Sequence, residues 1–203
     1  MNALLLIDLQ VDFAPGGALP VPEGDQVVAV ANTLMSKFEV VVATQDWHPA
    51  NHGSFAANNP GRKPGELITL DGLDQILWPV HCVQESHGAE LLPGLNVDAI
   101  NHISRKGLNP MVDSYSGFFD NGHRQATGLE TWLRQRGIED LVIMGLATDY
   151  CVKFTVLDAL ELGFGVTVVR DGCRGIDLQP GDVERAYAEM ADKGARVVMS
   201  TVV

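Results

Sequence analysis

The chain has 203 residues, of which 46% are hydrophobic and 20% charged. That is enough for one sizeable core and a single domain over residues 1–203, and it excludes a disordered or fibrous chain. The 14 Lys and Arg face 26 Asp and Glu, a formal charge of −12; this repels nucleic-acid phosphates and anionic membrane surfaces and favours a small neutral or polar substrate, while leaving monomer and homo-oligomer open.

Residues 3–9 form a nearly continuous apolar run, as in a strand covered on both faces, and predict a central parallel strand. The run is too short to cross a bilayer, lacks the basic start and cleavage site of a secretory leader, and has no longer counterpart elsewhere. Three cysteines, Cys82, Cys151 and Cys173, are too few and too uneven for a disulfide framework. A cytoplasmic, reducing setting is expected. Val27, Val28, Val30, Ala31, Leu34 and Met35 recur at helical spacing, predicting a helix over 25–37 behind an Asp25 cap. A second buried strand is expected over 38–44.

From Gln45 to about Val97 the chain is rich in proline and glycine with no sustained period, and loops of that length inside a compact domain are usually functional. A strand is predicted near 98–104. Thr127 to Glu130 reads as a capping box opening a helix that stops at Gly137. Strand 139–145, helix 149–162, strand 165–170, helix 182–193 and strand 195–201 follow, giving six strands and four helices. The alternation implies right-handed crossovers and a three-layer α/β/α fold around a mostly parallel six-stranded sheet. In such sheets ligands bind beyond the carboxyl ends of the strands.

Four features pass that positional filter. Asp8 ends an apolar strand, where burial raises a carboxyl pKa unless a cation or hydrogen bonds hold it ionised; a plain loop or helix cap is the competing reading. Lys106 follows the fourth element at the same edge and is a candidate for that cation, with Arg105 as its rival, although lone lysines are mostly solvated. Cys151 falls where a strand turns into a helix. Free N–H groups there lower a thiol pKa and bind an oxyanion, whereas a buried structural cysteine is the bland alternative. Cys82 and Cys173 lack that setting.

The fourth feature is Asp46-Trp47-His48-Pro49-Ala50-Asn51-His52, with Trp78-Pro79-Val80-His81-Cys82 further on. One carboxylate and two or three imidazoles suit Zn²⁺, Fe²⁺ or Mn²⁺ better than Ca²⁺ or Mg²⁺, although histidine-rich loops also occur as ordinary polar turns. Cys82 ranks below His52 as a further ligand. Phe13 and Trp78 lie close to these segments and can wall an aromatic pocket. Phe118, Phe119 and Trp132 read as core, and His87, His102 and His123 stand alone.

Taken together, the sequence resembles the nicotinamidase (pyrazinamidase) branch of the isochorismatase-like cysteine hydrolases. The likeness runs through Ile7-Asp8-Leu9-Gln10-Val11-Asp12-Phe13, the Asp46–Phe55 and Trp78–Val83 segments, Lys106-Gly107, Tyr115-Ser116-Gly117-Phe118, Gly145–Val152 and Asp171–Gly175. The Asp-Trp-His-Pro and Trp-Pro-x-His-Cys segments are the narrower markers, because metal-free relatives do not need them. The resemblance implies a catalytic triad of Asp8, Lys106 and Cys151, and one divalent metal held by Asp46, His48 and His81. His52 stands nearest to the fourth protein ligand of some relatives, with waters as the other option. A cis peptide is implied at Leu146-Ala147, with the N–H groups of Ala147 and Cys151 as oxyanion hole. Phe13, Trp78 and Tyr115 would contact the substrate, nicotinamide, whose hydrolysis to nicotinate and ammonia serves NAD salvage, and pyrazinamide would also be accepted. Three competing readings remain: a ureide or carbamoyl-amide hydrolase of the same superfamily, a hydrolase using metal-bound water, and a non-enzymatic metal-binding protein.

Overall fold

A computed structural model describes residues Met1–Val203. The expected three-layer α/β/α architecture is present, with eight strands rather than six. Strands β1 (Asn2–Ile7), β2 (Val41–Asp46), β5 (His102–Lys106), β6 (Asp140–Leu146), β7 (Gly165–Arg174) and β8 (Arg196–Val198) form one parallel sheet in the order β5-β2-β1-β6-β7-β8. The other two, β3 (Leu67–Leu70) and β4 (Leu73–Ile76), make a separate antiparallel hairpin inside the long loop. Its signal was the Asp71-Gly72 dipeptide, whose two residues have φ of 47° and 81°, the left-handed pair that a tight hairpin turn requires.

The helices are α1 (Val27–Met35), α2 (Leu129–Arg134), α3 (Lys153–Glu161) and α4 (Asp182–Asp192). Two predicted caps are absent. A short 3₁₀ turn, Gly24–Gln26, precedes α1, so Asp25 does not cap it. At α2 the Thr127 hydroxyl accepts the Leu129 N–H at 3.2 Å, but Glu130 turns forward towards Arg134 and does not close the box. No helix is long and apolar enough to cross a membrane.

The inner strands are buried almost throughout, which explains their unbroken apolar runs. Pairing in register from Val42↔His102 to Asp46↔Lys106 carries β2 and β5 two residues beyond their predicted ends. Asp46 and Lys106 are therefore the last residues of their strands and not the first of their loops. The extension escaped the hydrophobic pattern because Thr44, Gln45 and Asp46 are polar yet buried.

From β1 the chain moves one way along the sheet to β2, and from β6 it moves the other way to β7. Adjacent strands β1 and β6 thus form the topological switch point, where the sheet opens a crevice at its carboxyl edge. Gly145 permits their close approach. With φ of 133°, it packs so tightly that a Cβ would lie 2.2 Å from the Ile7 carbonyl oxygen. Gly145→Ala is expected to cost at least about 2 kcal/mol in urea unfolding. Gly163→Ala, at φ of 82° but facing open space, should cost only about 1 kcal/mol; equal losses would show that the β1–β6 contact contributes nothing.

Candidate active site

Asp8 leaves β1 with φ of 48°. Thr44 on the neighbouring strand holds it twice: its hydroxyl accepts the Asp8 N–H at 3.1 Å and donates to Oδ1 at 2.6 Å. Oδ2 lies 2.9 Å from Lys106 Nζ and carries no directed hydrogen bond, so a lone pair stays free to take a proton. Burial is the main influence on this carboxyl and raises its pKa above 3.8, with Asp46 adding to the rise and Lys106 opposing it.

Lys106 is 2% exposed. Its ammonium pairs with Asp8 and Asp46, donates to the Ser114 carbonyl at 2.8 Å and lies 3.4 Å from Cys151 Sγ. Burial alone would lower its pKa, but the two carboxylates, Asp46 and then Asp8, outweigh burial and hold it well above 10.5. Lys106 therefore supplies the cation expected beside Asp8. The rival Arg105 is exposed and stacks over Trp47 at 3.8 Å.

Cys151 sits in a π-helical turn, Thr148–Val152, between β6 and α3. Its Sγ and carboxylate oxygens of Asp8 and Asp46 lie within 4.8 Å of one another. The helix-entry position does not lower its pKa as the sequence reading held. Burial raises it well above 9.0, the two carboxylates add to the rise, and Lys106 only partly offsets it. These surroundings favour the thiol over the thiolate. The Leu146–Ala147 peptide is cis, and Ala147 lines the same cavity as Cys151.

On the other side of Lys106, Asp46 directs Oδ2 at two imidazoles, 3.5 Å from His48 Nε2 and 3.8 Å from His81 Nε2. Burial favours its neutral form, but Lys106 and then His48 keep its pKa well below 3.8. Each imidazole donates Nδ1–H to a carbonyl, His48 to Gly107 at 3.0 Å and His81 to Pro79 at 2.8 Å. That tautomer leaves both Nε2 lone pairs facing the Asp46 oxygen. The three donor atoms lie within 4.8 Å of one another, and one carboxylate with two oriented imidazoles fits a divalent transition-metal ion.

His52 lies beside His48, their rings 4.4 Å apart, and its donor atom groups with those of His48 and Asp113 and not with Asp46 and His81. Burial pulls its pKa down to about 4, so the ring is neutral. Cys82 is fully buried, its sulfur 3.8 Å from the Gly88 carbonyl and outside every donor group. Cys173 is buried as well, its thiol pushed up to about 12. His102 stacks on Trp132, and His123 pairs with Asp158 at 3.2 Å.

Cys151 and Ala147 meet Asp46 and His81 at a narrow cavity also lined by Phe13, Trp78, Tyr115, Leu19, Asp113, Tyr150 and Ile176. Trp78 Nε1 donates to the Tyr115 hydroxyl at 3.2 Å, and the Trp78 and Tyr150 rings meet edge to face at 5.1 Å. Sequence reasoning passed over Tyr150 and Asp113, whose only signal was proximity in the chain to Cys151 and Tyr115. It also passed over Gln10 as a positioning group. Gln10 accepts the Asp46 N–H and donates to its carbonyl, both at 2.8 Å, which fixes the end of β2. A wider groove of about 790 Å³ among Met1, Lys37, Asp140 and Arg196 lies at the opposite sheet edge and contains neither a thiol nor an imidazole.

The isochorismatase domain family matches residues 2–201. Nicotinamidase of Escherichia coli is 59% identical over 198 residues, covering 96% of this chain and 92% of that protein. A nicotinamidase/pyrazinamidase structure from Acinetobacter baumanii superposes with a TM-score of 0.96 at 46% identity, covering 99% of this chain and 97% of that one. A pyrazinamidase of Pyrococcus horikoshii, solved in complex with zinc, gives a TM-score of 0.79 at 41% identity, with 98% of each chain covered.

Gly107, at φ of 68°, keeps His48 in place, because a Cβ there would stand 2.4 Å from the imidazole Cε1. Gly107→Ala is expected to displace that ring and weaken Zn²⁺ binding by at least about tenfold in a chelator competition. Unchanged affinity would remove His48 from the donor set.

Proposed function

The chain belongs to the isochorismatase family, and from that footing we propose that it is a metal-containing cysteine amidohydrolase that converts nicotinamide to nicotinate and ammonia, feeding NAD salvage. The observation that carries the proposal is the single ammonium of Lys106, which touches a thiol and a base carboxylate on one side and a metal-ligating carboxylate on the other. The names of the similar proteins support the substrate, and the zinc complex of the archaeal pyrazinamidase supports the metal.

In this reading Asp8 takes the Cys151 proton and the sulfur attacks the carboxamide carbon. The N–H groups of Ala147 and Cys151 receive the tetrahedral oxyanion. Asp8 returns the proton to the departing ammonia, leaving a thioester. Asp8 then activates a water that hydrolyses the thioester and frees nicotinate, acting as acid and base in turn. Lys106 stays charged throughout and steadies the negative charge that passes between Sγ and Asp8.

Asp46, His48 and His81 would hold the ion, with Zn²⁺, Fe²⁺ and Mn²⁺ all compatible with that set. When bound, it supplies a Lewis acid that orients and polarises the pyridine ring through its nitrogen. Phe13 and Trp78 flank the ring and Tyr115 closes the pocket. This division of labour disfavours a ureide hydrolase, which has no ring nitrogen for the ion to receive.

Ammonia release from nicotinamide by the Zn²⁺-loaded protein is the direct test. Cys151→Ala should lower kcat by at least about a thousandfold; retained turnover would transfer the chemistry to metal-bound water. Pyrazinamide should be hydrolysed and benzamide, without the ring nitrogen, should be poor, whereas equal rates would remove the clamp. Asp8 must be ionised to act, and its pKa lies above 3.8. Activity should therefore fall as pH drops through a value above that of an ordinary aspartate. An acid limb at or below 3.8 would show that burial does not raise this carboxyl in the working site.

A further inference from the structure

A second cavity, of about 230 Å³, shares Tyr115 as a wall with the first. Asp74, Asp120, Asp158, His123, Ser116 and Asn121 line it, and no lysine or arginine does. Asp158 belongs to α3, and Glu161 follows it at i+3, which places both carboxylates on one face of that helix. His123 comes from the turn of a short hairpin in which Phe119 pairs antiparallel with Ala126. The donor atoms of His123, Asp158 and Glu161 lie within 4.8 Å of one another.

The turn is built to present its imidazole. The Asp120 carboxylate accepts the Gly122 N–H at 3.1 Å and the Arg124 N–H at 2.8 Å, and the His123 ring stacks on Phe119 with centroids 4.8 Å apart. On the helix side Asp158 is 7% exposed. Its Oδ1 lies 3.2 Å from His123 Nε2, close to the roughly 3.3 Å between two ligands of one tetrahedral ion with bonds of about 2.0–2.1 Å. Its Oδ2 is buried with no hydrogen-bond partner, which is costly for an ionised oxygen. Burial raises the Asp158 pKa above 3.8 and Glu161 adds to the rise, while the Ser116 hydroxyl and His123 only partly offset it. Neither carboxylate meets a lysine or arginine. An unpartnered buried oxygen, a second carboxylate beside it and an imidazole together call for a cation.

We propose that His123, Asp158 and Glu161 form a second site for a divalent transition-metal ion, which ties the 119–126 hairpin to α3. One imidazole and two carboxylates suit Zn²⁺ or Mn²⁺ better than Ca²⁺ or Mg²⁺, and the two negative charges balance the ion. The tie is structural. The hairpin supports the loop behind the first cavity, because Asn121 Oδ1 accepts the Tyr115 N–H at 2.9 Å and Ser114 Oγ donates to the Phe119 carbonyl at 3.0 Å. The site shares no residue with Asp46, His48 and His81 and does not rest on the reading of those three.

Zinc content after equilibrium dialysis against about 10 µM free Zn²⁺ tests the proposal. The His123→Leu and Glu161→Gln proteins should each carry about one Zn²⁺ per chain fewer than the wild type. Both side chains are exposed, so neither substitution threatens the fold. Zn²⁺ should also slow amide hydrogen exchange over 120–126 by at least about tenfold in the wild type and leave it unchanged in Glu161→Gln. Equal zinc content in the wild type and both variants would overturn the proposal, as would exchange in the hairpin that zinc does not slow. A wild type that binds about one ion, lost in Glu161→Gln and kept in His81→Ala, would uphold this site and remove the first.

Discussion

The site depends on one buried ammonium. Lys106 carries a positive charge into a part of the molecule where it is tolerable only because two carboxylates, Asp8 and Asp46, converge on it. Each of the three charges is acceptable for the sake of the others. Losing one partner from a buried pair of this kind typically costs about 3–5 kcal/mol, because the remaining charge is left uncompensated. Two carboxylates against one ammonium leave a net negative charge, which suits a cation bound between Asp46 and the imidazoles. The same lysine therefore joins Cys151 and Asp8 on one side to Asp46 and its two imidazoles on the other.

Lysine is suited to this by reach. β5 lies two strands from β1, roughly 10 Å at ordinary strand spacing. A long side chain at the end of β5 must lean past Asp46 on β2 to meet Asp8 beyond β1. The sheet order and the parallel register of Asp46 with Lys106 make that path available. Uncharged groups set the two carboxylates in position: Thr44 bonds the Asp8 carboxylate and N–H, and Gln10 clamps the backbone of Asp46 at the end of β2.

The long proline- and glycine-rich segment is ordered by attachment to the sheet's carboxyl edge. The His48 N–H donates to the Cys82 carbonyl at 3.0 Å and the Gln84 N–H to the His48 carbonyl at 2.9 Å, which brings the segments carrying His48 and His81 side by side. Asp12 adds a second tie: its carboxylate accepts the Cys82 N–H at 2.7 Å and the Ala18 N–H at 3.1 Å. Phe13 and Leu19 on one wall are thereby linked to His81 on another. A rigid sheet thus supplies the reactive groups, and tethered loops supply the walls.

The apolar runs of β1 and β6 were legible because a strand covered on both faces needs apolar side chains at every position. Asp8 and Cys151 were legible for the same reason, as polar or thiol residues that interrupt or follow such runs. The hairpin of β3 and β4 was signalled by Asp71-Gly72 but has too few buried positions to show a strong alternation. The polar ends of β2 and β5 were invisible to any hydrophobic pattern, since they are strands by pairing and not by composition.

By itself, then, the sequence determined the fold class and picked out a candidate nucleophile, a candidate base and a candidate metal-donor set, because periodicity and residue chemistry are local properties. Only the tertiary structure decided that Lys106 and not Arg105 faces inward, and that the surroundings of Cys151 raise its thiol pKa rather than lower it. Each of these depends on which charges, carbonyls and amides from distant segments surround a side chain once water is excluded, and residue spacing along the chain does not encode that.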